Sequence, residues 1–275
     1  MASYLASEST ELPSYTSPPV VETILGVQFE RLPKFRNGHL GAFWQTLGVS
    51  DWPVVIDAPP LPPQMERFTN GLQWDAGLQF QLTQNPASRM QLKNRAGDRM
   101  VQLQNGRLHV NWLGRENANY PRYNSIRNDF SSLVEKFANF ATERELGELS
   151  SNQWEVTYIN HIPQGTVWNT VDDWKFFLPF QSVPTIPGLV TGESFTGEWH
   201  FVIPEQRGRL HVEWQHVMLA EEQEVIQLTF TARGPCETSD TNSLFDGLDL
   251  GRAVIVRTFR ALMSSEANDF WGLNK

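Results

Sequence analysis

Apolar and polar residues alternate one for one along Leu78–Gln84 (LQFQLTQ), and the same period returns in MQLK (90–93) and VQLQ (101–104). Successive side chains of a strand point to opposite faces, so this period predicts a sheet with one dry and one wet face. The run Gln104-Asn105-Gly106-Arg107 predicts a hairpin closed by a two-residue type I′ turn, because Asn-Gly tolerates positive φ at both centres. The returning strand, Arg107 to Trp112, then places Leu108, Val110 and Trp112 on one face and Arg107, His109 and Asn111 on the other. Beyond it Ile126, Phe130, Leu133, Val134, Phe137 and Ala141 recur every three or four residues, which predicts a helix over 126–143. Upstream, the β-branched run Val20–Phe29 predicts a strand and Phe43, Trp44 and Leu47 a short helix. A loop holding Pro53, Pro59, Pro60, Pro62 and Pro63 follows, hostile to helix and sheet interior alike.

The order then begins again. Trp154–Ile162 reads as a strand, and Thr170-Val-Asp-Asp173 as a helix start with a Thr cap and early carboxylates. A second proline-rich loop carries Pro179, Pro184 and Pro187. Strands are predicted near 195–203, 209–219 and 224–232, then a helix from Leu248 to Met263 and a last one from Ser264 to Trp271, stopped by Gly272. The segments GRLHVNW (106–112) and GRLHVEW (208–214) agree at six of seven positions. Together with the repeated element order they predict an internal duplication, pseudo-repeats 19–150 and 151–275 of one β-α-loop-β-hairpin-helix unit. Neither copy could bury its sheet alone. The expected fold is therefore a single α+β domain over 19–275, with one antiparallel, pseudo-symmetric sheet and the helices on one face. Residues 1–18 (Ser, Thr, Glu and Pro without periodicity) read as a disordered arm.

Composition narrows the setting. With 10 Trp, 17 Phe and 40% hydrophobic residues in 275, a sizeable core is available. The single cysteine, Cys236, forms no internal disulfide and leaves no multi-cysteine metal framework, which suits a reducing compartment. No apolar run is long enough for a signal peptide or a membrane span, so the expected location is cytoplasmic. The net charge of −9 is unevenly spread: from Arg89 to Arg127 eight basic residues face only Asp98 and Glu116.

Three short segments carry a resemblance. Pro18-Pro19-Val20-Val21-Glu22 before the first strand, Tyr158-Ile159-Asn160, and the terminal Phe270-Trp271-Gly272 resemble a sporadically distributed bacterial family of uncharacterised proteins. The resemblance implies an accessory-genome protein and brings no catalytic residues with it. After the asparagine the family's pattern has a basic residue, where this chain has His161.

No phosphate loop, dinucleotide fingerprint, nucleophile elbow or HExxH helix is present. His211 and His216 have opposite strand parity and cannot share a metal without a bulge, and neither metal nor cofactor is expected. Asp172, Asp173, Asp246 and Asp249 read as helix-end carboxylates. The polar triplets Arg107, His109, Asn111 and Arg209, His211, Glu213 are the leading candidates. They line either a solvated sheet face, as Gln79, Gln81, Gln91, Gln102 and Gln104 would, or a ligand-binding saddle in which Arg offers a donor fork and His a switchable donor. Arg122 and Arg127 join the candidate set from the basic stretch. That stretch would hold phosphates and bases with Trp112, Tyr120 and Tyr123, or else meet acidic residues such as Glu221, Glu222 and Glu224 within the chain or across a homodimer. Three functions stay open. The first is a non-enzymatic binding module for a small anionic ligand or partner protein. The second is an enzyme on a nucleotide or phosphorylated substrate, with His109 or His211 as acid-base group. The third is nucleic-acid binding through 89–127, which the net charge disfavours.

Overall fold

A computed structural model describes residues 11–62, 64–68, 88–114, 119–178, 194 and 196–274. The strands are β1 (Val20–Phe29), β2 (Val54–Ala58), β3 (Arg89–Lys93), β4 (Arg99–Gln104), β5 (Arg107–Leu113), β6 (Ser151–Pro163), β7 (Gly197–Ile203), β8 (Gly208–Met218) and β9 (Glu224–Pro235). They form one sheet in the order β2-β3-β4-β5-β1-β6-β9-β8-β7, every neighbouring pair antiparallel. The strand expected at Leu78–Gln84 and the proline loop at 179–187 lie outside the described residues.

The helices are α1 (Gly38–Leu47), α2 (Tyr123–Glu143), α3 (Trp174–Phe177), α4 (Thr241–Leu262) and α5 (Ser265–Phe270). The apolar stripe expected on α2 is buried from Ile126 to Ala141, and α1 packs beside it through Phe43 on Phe137, with Phe137 also against Phe29 of β1. On the other half α4 crosses β6. A Cβ at Gly247 would stand 2.1 Å from Trp154, so only glycine lets this helix close over the indole. Asp240 caps α4, accepting from the Ser243 N–H, and Ser264 does the same for Ala267 at α5. The expected Thr cap and early carboxylates appear as a capping box of Thr170 and Asp173, on a short 3-10 turn before α3.

α1, α2 and α4 thus cover the face carrying Leu25, Val27, Val101, Leu103, Leu108, Val110, Trp154 and Val156, all buried. Trp112 and Trp214 are both buried on that face. The two GRLHV segments, however, lie at different depths of the sheet: β5 pairs with β1 at the centre, whereas β8 is separated from β6 by β9. The turn between β4 and β5 has two residues as expected, but positive φ belongs to Gly106 alone. Asn105 spends its amide on Leu32, accepting from its N–H and donating to its carbonyl.

The expected arm is corrected from Ser14 onward. Tyr15 is buried, stacks edge-on against Phe259 and donates to Asn268, while Thr16 and Ser17 bond to the Gly272 and Trp271 carbonyls. Thr and Ser gave no periodicity there because one aromatic side chain and a few main-chain bonds suffice to dock the segment. Among the described residues no helix is long and apolar enough to cross a membrane.

Candidate functional site

The face away from the helices is polar, and it is covered. Register places Gln102 (β4), His109 (β5), Gly26 (β1), Glu155 (β6), Arg233 (β9) and Arg209 (β8) in one row across the sheet. Beside it runs a second row, Gln104, Arg107, Gln28 and Gln153. Gln28, Gln102, Gln104, Arg107, His109, Asn111, Gln153, Glu155 and His211 are all buried. The solvated sheet face is therefore a wrong expectation for Arg107, His109, Asn111, Gln102 and Gln104; alternation tells which side chains share a face, not what lies over it.

Gly26 is what brings His109 and Glu155 together across β1. A Cβ there would meet the imidazole at 2.2 Å, so the ring lies over the glycine and places Nε2 3.7 Å from Glu155. Burial pushes His109 down to about 4; Glu155 opposes this, and Arg107 and Arg89 add to it. The imidazole is neutral at physiological pH, and its approach to Glu155 is not an ion pair.

Part of the proline-rich loop, Leu61–Pro62 and Gln64–Phe68, crosses this face as a strap. Three glutamine amides hold its main chain. Gln104 accepts from the Leu61 N–H and donates to its carbonyl; Gln28 does the same at Gln64; Gln153 accepts from the Glu66 N–H and donates to the Gln64 carbonyl. The Glu66 carboxylate then sits between Arg209, His211 and Arg233, at 2.7 Å from His211 Nε2 and 2.6 Å from Arg233 Nε. Burial would raise the Glu66 pKa, but hydrogen bonds from His211 and Arg233 and their charges overcome it and hold the group at about 2. An ionised Glu66 accepts, so His211 donates to it from Nε2, and on its other side the His211 and His200 Nδ1 atoms share a hydrogen bond of 2.6 Å.

Next to this satisfied cluster lies an unsatisfied one. Arg107 Nη2, Arg89 Nε, His109 Nε2 and Glu155 Oε2 are buried without hydrogen-bond partners among the described residues. Arg233 Nη1 stands 3.6 Å from Glu155, beyond hydrogen-bond reach. Burial lowers the pKa of Arg107, Glu155 opposes, and Arg233 and Arg89 lower it further. Asn111 is engaged differently, joining Gln102 at 2.9 Å to Glu22 at 2.6 Å. Glu22 lies above the usual carboxylate range because burial outweighs that bond.

The remaining candidates fall elsewhere. Glu213 is exposed. Arg122 and Arg127 are on the helix side: Arg122 donates to the Tyr15 carbonyl, and Arg127 grips Asp249 of α4 with both prongs while Tyr123 donates to the same carboxylate. Arg99 pairs with Asp98 and with Asp129 of α2. The described cations from 89 to 127 are thus divided between the two faces, because strand parity and helix phase sort them independently of their spacing. Glu224, named as a partner for them, takes His216 instead.

Among the described residues no group of three or more His, Cys, Asp or Glu could hold a metal. Burial, with Asp240 adding, pushes the Cys236 thiol up to about 11. A cavity of about 90 Å³ lies on the helix side among Tyr15, Tyr120, Tyr123 and Tyr158, and a cleft of about 400 Å³ opens at the start of α4. Neither gathers the Arg–His chemistry of the polar face. Comparison with protein-family models, curated proteins and solved structures finds no match for this chain.

Sequence reasoning missed Gln28, Glu66, Arg89, Gln153, Glu155, His200 and Arg233 as members of the site. The alternation of β1, β6 and β9 contains most of them, and Gly26 inside a strand is a signal of close approach from the neighbouring strand. Glu66 had no signal, being one of several polar residues in a loop.

Proposed function

We propose that the polar face is the binding surface of a non-enzymatic module that takes a small anion, of the carboxylate or phosphate class, over the central strands. The observation that carries this reading is the set of buried nitrogens that have no hydrogen-bond partner among the described residues, Arg107 Nη2, Arg89 Nε and His109 Nε2, beside Arg233. A buried guanidinium short of partners is costly, as Arg107 is, and the described part of this face carries four guanidinium groups (Arg89, Arg107, Arg209, Arg233) against two carboxylates close to them (Glu66, Glu155), with Arg209 and Arg233 already on Glu66. An anion meeting Arg107 and Arg89 relieves that imbalance. The acid-base alternatives fare less well: His211 has both ring nitrogens engaged, and no nucleophile stands beside His109 among the described residues. The division of the basic stretch between two faces removes the continuous stripe that nucleic acid would follow.

Arg107→Ala tests the proposal. Affinity for inorganic phosphate or a small carboxylate should fall roughly tenfold to a hundredfold, the equivalent of losing about 1.5–3 kcal/mol from one charge-assisted contact. Unchanged affinity would refute it.

The strands run outward from the centre as β1-β5-β4-β3 on one side and β6-β9-β8-β7 on the other, which supports an internal duplication in which β5 corresponds to β9 and β4 to β8. On that alignment the two GRLHV segments are not equivalent copies. Membership of the uncharacterised bacterial family is also our proposal and rests on the sequence of the three segments; residues beside them meet, the Pro19 carbonyl accepting from His161 N–H next to Asn160 and Ser17 N–H bonding to the Trp271 carbonyl.

A further inference from the structure

A small anion has no use for three amides that each grip a main chain. Gln104, Gln28 and Gln153 stand on β4, β1 and β6 and bond the N–H and C=O groups of Leu61, Gln64 and Glu66. From β4 to β6 is three strand spacings, about 14 Å, which five residues cross at about 3 Å each, the rise of an extended or polyproline chain. The amides therefore sit where an extended peptide laid across the strands presents its backbone, and Arg209, His211 and Arg233 sit where its next side chain ends. The occupant is installed through polar contacts. Gln64, Met65 and Arg67 of the strap are exposed, Met65 at 43%, and the surface beneath is polar, so lifting the strap uncovers no apolar core. Segments held only by polar contacts open from the low end of a protein's stability range.

We propose that this groove is a recognition site for an extended, carboxylate-bearing peptide, and that the strap is the chain's own stand-in, with Glu66 filling the Arg209–His211–Arg233 receptor until a partner's acidic side chain displaces it. The inference rests on reading the polar face as a binding surface and specifies what that surface reads. Phe68 and the Arg67 carbonyl, which meet Arg209, mark where the bound peptide leaves the groove.

The test uses the full chain, wild type and Glu66→Gln, with an acetylated and amidated peptide of the sequence of residues 61–68, the same peptide with Gln in place of Glu, and inorganic phosphate. The glutamate peptide should bind Glu66→Gln at least tenfold tighter than wild type, and at least tenfold tighter than the glutamine peptide does. In the wild type, saturating glutamate peptide should speed amide exchange at Glu66, a readout that stands even if the variant folds poorly. Equal affinity of the two peptides, or exchange at Glu66 unchanged at saturation, would overturn the proposal. Phosphate that binds wild type through Arg107 while neither peptide binds would leave the small-anion reading standing and end this one. Phosphate that gains tenfold in Glu66→Gln while neither peptide binds would show a receptor for a free anion, and also ends it.

Discussion

The two faces of the sheet are both buried but are built on opposite terms. On the helix face Trp154, Val156, Leu25 and Phe29 lie under α2 and α4 with glycines cut to fit, and the stabilisation comes from apolar area removed from water. On the other face glutamines, arginines and histidines are covered by a strap with exposed side chains of its own, and each polar contact gives little net stability because water offered the same bonds. What differs is the cost of change. A packed face resists any change, whereas a polar face covered by a strap can be uncovered, and uncovering it exposes donors that an anion would satisfy.

The largest effect that would sharpen this contrast is Trp154→Ala. It should cost about 3–5 kcal/mol in denaturant unfolding, since α4 cannot collapse into the space left under Gly247 and Gly251. A loss below about 1 kcal/mol would break the claim that the helix face carries the stability. Glu66→Ala on the polar face should cost less, about 1–3 kcal/mol, and millimolar acetate should recover part of the melting temperature by filling the receptor. No recovery, or a loss as large as that of Trp154→Ala, would mean that the strap is welded into the fold.

The N-terminal segment gives a test of similar size on the helix side. Removing residues 1–17 should lower stability by about 2 kcal/mol through Tyr15, whereas removing residues 1–10 should spare that contact. Equal melting temperatures for the two truncations would show that the Tyr15 contact contributes nothing.

Acid should act first on the polar face. His109 has a folded pKa depressed to about 4, so its unfolded form takes up a proton first; its contribution is complete above about 6.5 and declines until pH reaches about 4. Glu66, depressed to about 2, contributes fully above its unfolded value near 4.5, and that contribution is lost as pH falls toward 2. Stability curves of His109→Gln and Glu66→Gln should each flatten in their own window; a Glu66→Gln curve parallel to wild type between pH 4.5 and 2 would contradict the assignment. The smallest effect belongs to Arg127→Ala, about 0.5–1 kcal/mol for a half-exposed pair, with anion affinity unchanged.

The sequence by itself determined which residues share a face, where α2 lies and that a two-residue turn joins β4 to β5, because alternation and helical periodicity are properties of consecutive residues; it placed the end of α4 but not its start, which is at Thr241 rather than Leu248, so that Asp246 and Asp249 lie within the helix. It placed Arg107, His109 and Asn111 together on one side, and Arg209 with His211. Only the tertiary structure decided that this side is covered, that Arg122 and Arg127 belong to the other, and that Glu66 meets Arg209 and Arg233, partners 143 and 167 residues away. Contacts at such separations depend on the path of the whole chain through a nine-stranded sheet, and nothing in the local pattern of a proline-rich loop marks which of its carboxylates will arrive there.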